Sequence, residues 1–173
     1  MGDETKPIPS TIVGDAAAAT ILEKSREESG MIDRLYQNDS SFNDTIVLPP
    51  QGASYSKQDE KIHWAPFTGI ESVEFAADAL RELLDNHHLK IDDISCLLLS
   101  QFTKSNIDLL QSKLNIPSEK IEYIGDKYGY TGVSSFFIAY KNRLEKGLLQ
   151  SGDIIVFWTL GAGYQTGIML WRV

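Results

Sequence analysis

The sequence LLLSQFTKSNIDLLQSKLNIPSEKIEYIGDKYGYTGVSSFFIAY, residues Leu97–Tyr140, carries the pattern on which the predicted fold depends. Its residue spacing predicts a strand, a polar turn, a helix, a short strand, a glycine-containing turn and a second helix. In open α/β sheets, ligands bind beyond the carboxyl ends of the strands. We therefore expect a site at the two turns Ser100–Ser105 and Gly125–Ser135.

The flanking segments complete an α/β pattern. The pattern Thr68-x-x-Glu71 is typical of a capping box and predicts a helix over Thr68–Asn86. The remaining predicted elements are strands Thr11–Glu23, Gly30–Asn38, Ile94–Leu99, Ile121–Ile124, Asp153–Leu160 and Gln165–Val173, and helices capped by Ser105 and by Ser134 or Ser135. The first two strands are expected to pair antiparallel, and the last two to pair antiparallel across a tight turn. Alternation of helices with apolar strands predicts a three-layer α/β domain with a mixed, largely parallel sheet.

Individual features of these elements add further expectations. A long polar loop is predicted over Ser40–Trp64, a length more typical of functional or mobile segments than of filler. The last helix is expected to use one apolar face, formed by Phe137, Tyr140, Leu144 and Leu148. Residues 1–10 are expected to be a flexible N-terminus, and residues 11–173 a single domain.

The bulk composition narrows the function classes. A formal charge of −8 over 173 residues argues against nucleic acid and anionic membranes as main partners. Residues 101–150 hold seven basic and five acidic side chains, a local charge of +2. This charge could attract an acidic carrier or a nucleotide phosphate, or it could reflect only solvated helix faces. Cys96 is the single cysteine, which excludes an internal disulfide and suits a reducing compartment. No apolar run is long enough for a transmembrane helix, and no signal pattern is found at the N-terminus, so a cytoplasmic location is expected.

No side-chain pattern identifies the chemistry by itself. The histidines His63, His87 and His88 have no metal-ligand spacing, so no metal site and no cofactor are expected. Cys96 lies inside an apolar strand, where cysteine usually behaves as a small hydrophobic residue. The glycines of Gly161-Ala162-Gly163 lie between two strands and do not open a helix, so they are a weak nucleotide motif. The polar turns fit ordinary capping chemistry as well as they fit a site.

Four motifs in order resemble the C-terminal half of a thiolase-fold condensing enzyme, nearest to the β-ketoacyl-acyl carrier protein synthase III family. They are Gly14-Asp15-Ala16-Ala17-Ala18-Ala19, Ser100-Gln101-Phe102-Thr103, Gly129-Tyr130-Thr131-Gly132-Val133-Ser134-Ser135 and the ending Gly152-Asp153 through Leu160-Gly161-Ala162-Gly163-Tyr164. The corresponding family motifs are Gly-Asp-Gly-Ala-Gly-Ala, His-Gln-Ala-Asn, Gly-Asn-Thr-Ser-Ala-Ala-Ser and a final strand, glycine turn and closing strand. The resemblance covers about residues 11–173 and implies a thiolase-like half with a mixed, largely parallel five-stranded sheet.

The resemblance also implies site residues and partners. Ser100 stands where the family has its catalytic histidine, and Tyr130 where it has its asparagine. The implied substrate-binding positions are Gln101, Thr103, Thr131, Gly161 and Gly163. The family's nucleophilic cysteine belongs to an N-terminal half, and Cys96 does not occupy its position. The implied partners are that N-terminal half, on the same or a separate chain, a homo- or heterodimer, and an acyl-CoA or acyl carrier protein thioester.

Two functions follow from the resemblance. One is the C-terminal half of a synthase III-like acyltransferase of fatty acid or polyketide metabolism, inactive alone and unsuited to standard decarboxylative condensation, because both family residues are replaced. The other is a non-catalytic partner subunit of an active homologue. A free-standing α/β binding domain is an unrelated third reading. A half of this fold is expected to expose an apolar face and therefore to self-associate or to bind a partner.

Overall fold

The computed structural model describes residues 12–25, 28–47, 63–65, 68–161 and 163–173. Its strands are β1 (Gly30–Asn38), β2 (Ile46–Val47), β3 (His63–Trp64), β4 (Ile94–Leu99), β5 (Ile154–Gly161) and β6 (Gln165–Arg172), and its α-helices are α1 (Ile70–Asn86), α2 (Lys104–Leu114), α3 (Gly125–Tyr128) and α4 (Ser135–Glu145). The predicted flexible N-terminus, residues 1–10, lies outside the described residues. Within the described part of the chain, no helix combines the length and the apolar character needed to cross a membrane.

The main sheet has the order β1-β6-β5-β4, and β2 pairs with β3 in a separate two-stranded ladder. The pairs β1–β6 and β5–β6 are antiparallel, whereas β4–β5 is parallel. The prediction of an α/β fold with a mixed sheet is therefore confirmed. The expectation of a five-stranded, largely parallel sheet is wrong for the described residues, whose main sheet has four strands and one parallel pairing.

The predicted strand Ile121–Ile124 does not extend this sheet, and a side chain explains why. It makes one parallel bridge, between Ile121 and Leu97. The Gln101 side chain accepts a hydrogen bond from the Ile124 amide at 3.1 Å and donates one to the Glu122 carbonyl at 3.3 Å. These main-chain groups are therefore bonded to a side chain, and the ladder stops after one bridge.

The predicted strand Thr11–Glu23 is also wrong where the structure describes it. From residue 14 to residue 25 the backbone has no regular structure, and Val13 makes a single parallel bridge to Tyr130. β1 pairs with β6 along its whole length, and so does not pair with this segment as expected. A strand needs a neighbour for its main-chain groups, and the described residues offer this segment none beyond the Tyr130 bridge.

Three helix starts differ from the predicted caps. α1 begins after Gly69, whose left-handed φ of 75° precedes the first turn with no side-chain cap, so Thr68 and Glu71 do not form a capping box. α2 is capped by Thr103 and not by Ser105, because the Thr103 hydroxyl accepts a hydrogen bond from the Asn106 amide at 3.2 Å. Ser134 precedes α4 without a side-chain cap.

One face of the sheet is closed by α1 and α2. The helix α1 places eight residues in the interior, Ser72, Val73, Ala76, Ala77, Ala79, Leu80, Leu83 and Leu84. Alternate strand residues such as Leu97, Val156 and Leu170 meet them in a single apolar cluster. This is the larger of the two cores and the one that fixes β1, β4, β5 and β6 relative to the helices.

The opposite face is covered only in part, by α4. A smaller cluster joins Cys96, Leu98 and Ile155 to Ala139 of α4. The predicted apolar face of the last helix is only partly buried. Phe137 and Tyr140 are half-buried, whereas Leu144 and Leu148, the latter just beyond the end of α4, are 43% and 51% exposed. The inner residues of this helix are Ser135, Ala139 and Arg143. An open groove of about 1150 Å³ runs between α4, the uncovered strands and residues 15–22.

Candidate functional site

The first part of the candidate site is the turn that follows β4. Ser100, Gln101 and Phe102 are all buried there, at the carboxyl end of the strand that pairs in parallel with β5. The Gln101 amide nitrogen donates to the Leu99 carbonyl at 3.0 Å as well as to the Glu122 carbonyl, and its oxygen accepts from Ile124. Gln101 therefore ties this turn to the segment beside it. Its predicted role in substrate binding stays a prediction, with both ends of its amide already bonded to the backbone.

The second part is the turn after α3. Gly129 has φ 67° and ψ −165°, a backbone conformation that residues with a Cβ rarely adopt. The chain turns at this glycine and continues with Tyr130. Thr131 is buried, and its amide and hydroxyl both lie close to the Ser135 hydroxyl, at 3.2 and 3.1 Å. The Ser134 hydroxyl donates to the Thr131 carbonyl at 2.8 Å. These bonds hold the turn in one conformation and bond the predicted substrate-binding residue Thr131 to Ser135.

Ser100 and Tyr130 meet between these turns. The Ser100 side chain is close enough to the Tyr130 hydroxyl to lower its pKa, and Phe102 packs edge-on against the Tyr130 ring at a centroid distance of 5.5 Å. Burial raises the pKa of Tyr130, and the contact with Ser100 offsets part of this rise. The tyrosine is therefore neutral and protonated near pH 7. It can donate a hydrogen bond but cannot act as a base.

The remaining predicted positions lie apart from this pair or have structural contacts. Thr103 caps α2, as described above. Gly161 pairs with Gln165 at the end of the β5–β6 hairpin, and a side chain at Gly163 would approach the Cα of Asn43 at 3.4 Å. Ala162, between the two glycines, lies outside the described residues. The contacts of the hairpin are thus with the segment after β1, and the structure brings together Ser100 and Tyr130 only.

Cys96 is completely buried on the α4 side of β4. Burial raises the pKa of its thiol from an ordinary value of 9.0 to about 11, although the nearby Arg143 guanidinium lowers it. A nucleophilic cysteine needs the opposite shift and access to solvent. The contacts of Cys96 are those of a buried structural residue.

The histidines have separate surroundings. His87 follows the last turn of α1, and its Nε2 lies 2.9 Å from an oxygen of Asp33 on β1. The hydrogen bond from His87 holds the pKa of Asp33 below its ordinary value. His88 takes a left-handed φ of 54°. His63 lies on β3, and its side chain is outside the described part of the chain.

The sequence did not predict a buried charged cluster that includes Glu122. Glu122 and Arg143 are both buried and pair at 3.0 Å, Arg143 also donates to the Glu119 carbonyl, and Lys146 reaches the second Glu122 oxygen. The cluster joins α4 to the segment Ile121–Ile124, whose main chain is also hydrogen-bonded to Gln101. The signal was available in part, since Arg143 follows Ala139 at the four-residue spacing of a helix face.

A comparison with protein families identifies the group to which this arrangement belongs. The family described as 3-oxoacyl-[acyl-carrier-protein] synthase III, C terminal, matches residues 84–173, which is just over half of the chain and includes both turns. The chain belongs to this family. The resemblance inferred from the four sequence motifs is therefore confirmed.

Individual members of the synthase III group match almost the whole chain. The β-ketoacyl-[acyl-carrier-protein] synthase III of Solibacter usitatus is 28% identical over 181 residues, covering 98% of this chain and 55% of its own length. The crystal structure of the Aquifex aeolicus synthase III superposes with a TM-score of 0.71 at 25% identity, over 87% of this chain and 46% of that one. A structure of the Pseudomonas aeruginosa enzyme gives the same TM-score at 21% identity, over 87% of this chain and 46% of that one, and shows the shared fold. The chain spans about half the length of the curated relatives it matches.

Proposed function

We propose that this chain is the C-terminal half of a synthase III-like acyltransferase, which acts with an N-terminal half that supplies the nucleophilic cysteine. The observation that carries the proposal is the meeting of Ser100 and Tyr130 at the carboxyl end of β4 in a member of this family. In α/β folds, that end of the sheet is the usual place for ligands. Cys96 is buried and its thiol stays protonated, so the nucleophile has to come from elsewhere.

In the proposed reaction, the partner's cysteine thiolate attacks the carbonyl carbon of an acyl thioester. The carbonyl oxygen becomes negative in the tetrahedral intermediate, and the carrier thiolate then leaves, so that the acyl group ends on the cysteine. Tyr130 donates a hydrogen bond to that oxygen, with Ser100 orienting the phenol. The carrier is coenzyme A or an acyl carrier protein.

The same two residues argue against decarboxylative condensation. Serine has no group that titrates near neutral pH, and the pKa of Tyr130 is raised further from it. One phenol donor replaces the family's histidine and asparagine, and the loss of one such donor typically lowers the rate about 10²–10³-fold. We therefore expect no carbon dioxide release from a malonyl thioester.

The open face supports the need for an N-terminal half. Leu144 of α4 and Leu148, just beyond its end, are exposed, and the groove beside α4 is lined by Phe157 and Trp171 of the sheet. Exposed apolar side chains grouped in this way are typical of an interface. We propose that the N-terminal half packs against it, as part of a homo- or heterodimeric assembly.

The test uses the natively expressed protein. We would purify it under mild conditions, measure the intact mass of every polypeptide present, and add acyl-CoA. The proposal predicts a cysteine-bearing N-terminal half, either in a polypeptide about twice this length or in a second chain, and an acyl adduct on that cysteine. A 173-residue chain that occurs alone and binds no thioester would contradict it.

One observation favours a non-catalytic role as the second candidate. Ser100 and Tyr130 are neighbours and Phe102 packs on the tyrosine ring, so Tyr130 already has contacts within the domain. In that case, the chain completes a dimer or a pocket for an active homologue. The variant Tyr130→Phe separates the two functions, with Val133→Ala in the same turn as an exposed control. A catalytic Tyr130 predicts acyl transfer that is slower by about 10²-fold or more, and an unchanged rate favours the partner role.

A further inference from the structure

The turn that carries Tyr130 is bonded to a segment that lies far away in the sequence. The Tyr130 amide donates to the Ile12 carbonyl at 2.6 Å, and the Gly14 amide donates to the Tyr130 carbonyl at 2.9 Å. The Ser134 hydroxyl, which donates to the Thr131 carbonyl at 2.8 Å, also lies 3.3 Å from the Ala16 carbonyl as a weaker, alternative acceptor. Residues 12–16, which we name the clamp, therefore bond to the backbone on both sides of Tyr130 and to the end of its turn.

The centre of the clamp has room for glycine alone. A Cβ placed on Gly14 would overlap the carbonyl oxygen of Tyr128 and would stand 3.1 Å from the carbonyl carbon and 3.3 Å from a methyl carbon of Thr131. The obstacle is main chain, so no side-chain rotation removes it. Gly129 meets the clamp in the same way, because its own Cβ would lie 2.9 Å from the Ile12 carbonyl oxygen. Two glycines thus allow two backbones to approach closely at this place.

From this packing we infer that the clamp fixes Tyr130 in the site and that Gly14 is its positioning residue. An alanine at position 14 has to push residues 128–131 away, and Tyr130 moves with them because both its amide and its carbonyl bond to the clamp. The contact of the Tyr130 ring with Phe102 and the proximity of its hydroxyl to Ser100 are then lost together. The inference rests on the proposed function only in treating Tyr130 as the site residue.

The clamp also links the site to the open face. Residues 15–22, which begin within the clamp and continue beyond it, line the groove along α4, and Ile21 and Leu22 are 93% and 74% exposed. A partner that packs on these two side chains therefore contacts the same segment whose clamp residues are hydrogen-bonded to Tyr130. The arrangement connects assembly with the geometry of the site.

The first test needs no substitution. Hydrogen exchange of the unmodified chain should show the amides of Gly14 and Tyr130 protected by on the order of 100-fold. Ala18 and Ala19, exposed in the same segment, serve as internal controls that exchange freely. If Gly14 and Tyr130 exchange as fast as these two alanines, the clamp does not hold the turn and the inference fails.

The second test compares Gly14→Ala with Ala17→Val, a substitution at an exposed clamp neighbour. Tyrosine labelled with ¹³C at Cζ reports the titration of Tyr130, whose signal is identified by its absence in Tyr130→Phe. The expected result for Gly14→Ala is a lower Tyr130 pKa and loss of the nuclear Overhauser contact between Tyr130 and Phe102, with neither change in Ala17→Val. General destabilisation would lower the melting temperature without changing the titration of the folded state.

A folded Gly14→Ala chain in which Tyr130 keeps its pKa and its contact with Phe102 would overturn the inference. If that variant does not fold, the exchange measurement decides alone. Neither readout involves acyl transfer. A chain that lacks a partner or activity therefore contradicts the proposed function and leaves the result on the clamp unaffected.

Discussion

The two helices that cover the sheet differ in what they bury. Of the 17 residues of α1, eight are buried, and seven of those are apolar. Of the 11 residues of α4, three are buried, and two of those are Ser135 and Arg143. α1 closes its side of the sheet with a continuous apolar core, whereas α4 leaves Leu144 partly exposed and buries Arg143. The difference is the one expected if, as we propose, the α4 side receives a further layer.

The largest expected effect compares one leucine from each helix. Leu83→Ala in α1 removes a side chain that is almost fully buried, so it should lower the free energy of unfolding by about 2–5 kcal/mol. Leu144→Ala in α4 should cost less, about 1 kcal/mol or below, because 43% of that residue is already exposed. Urea denaturation monitored by circular dichroism measures both. Equal losses in the two variants would show that the two sides are packed alike.

A second comparison concerns the charged inner side of α4. Arg143→Met leaves the buried Glu122 carboxylate with Lys146 as its remaining cation, and we expect a loss of about 2–3 kcal/mol, since breaking a buried pair is costly. Lys141→Met on the same helix breaks an exposed pair with Glu145 and should cost less than about 1 kcal/mol. Chemical denaturation of both variants checks the ranking. If Arg143→Met is as stable as Lys141→Met, the cluster does not anchor α4.

The reactivity of Cys96 tests how firmly α4 covers the sheet. Its thiol has a pKa of about 11 in place of 9.0, which lowers the thiolate fraction near neutral pH about 100-fold before burial is considered. Because the folded pKa is the higher one, this contribution to stability is present below pH 9 and is lost as the pH rises toward 11. Labelling by a thiol reagent should therefore be at least 100-fold slower in the folded chain than in urea. Rapid labelling of the folded chain would show that α4 opens readily.

The smallest effect is expected on the closed side, where Asp33 of β1 meets His87 at the end of α1. The folded pKa of Asp33 lies below its ordinary value of 3.8, so the stabilising contribution is present above that pH and is lost as the pH falls through the folded value. Asp33→Asn should remove this part of the acid dependence and leave the rest of the curve unchanged. Asp78→Asn, at an exposed position of α1, is the control. An identical acid transition in the wild type and in Asp33→Asn would contradict the role given to this pair.

The elements of the closed side were predictable from the sequence because local pattern and final environment agree there. The apolar run Ile94–Leu99 and the periodic apolar residues of α1 are buried as their spacing indicates. The helix starts were less predictable. Thr103 and Ser105 are both suitable caps, and the bond from Asn106 that selects Thr103 depends on the path of the turn.

The open side was predicted less well, for a physical reason. The spacing of Phe137, Tyr140, Leu144 and Leu148 marks an apolar face, and spacing alone does not say whether that face meets its own sheet or a partner. In the same way, the β-branched and apolar residues at the ends of Thr11–Glu23 suggested a strand, but strand formation depends on a neighbour. Both errors concern residues that border the groove.

In the site, the sequence motifs singled out Ser100 and Tyr130, which the structure places next to each other, and their roles stay a prediction. What they did not reveal is the use of Gln101 as a link between backbones or the clamp at Gly14. Those roles depend on contacts between residues more than 20 positions apart, such as Gln101 with Glu122 and Gly14 with Tyr130. No local pattern encodes such contacts.

The measurement that tests the central claim most directly is the solution mass of the isolated chain by light scattering, with and without the paired substitutions Leu144→Glu and Leu148→Glu. The open side of α4 predicts a mass above the 19.3 kDa of one chain at micromolar concentration, and a return to 19.3 kDa when both leucines are charged, with unchanged stability. A wild-type chain that stays a 19.3 kDa monomer and binds no hydrophobic dye would contradict the claim that this side is built for a further layer.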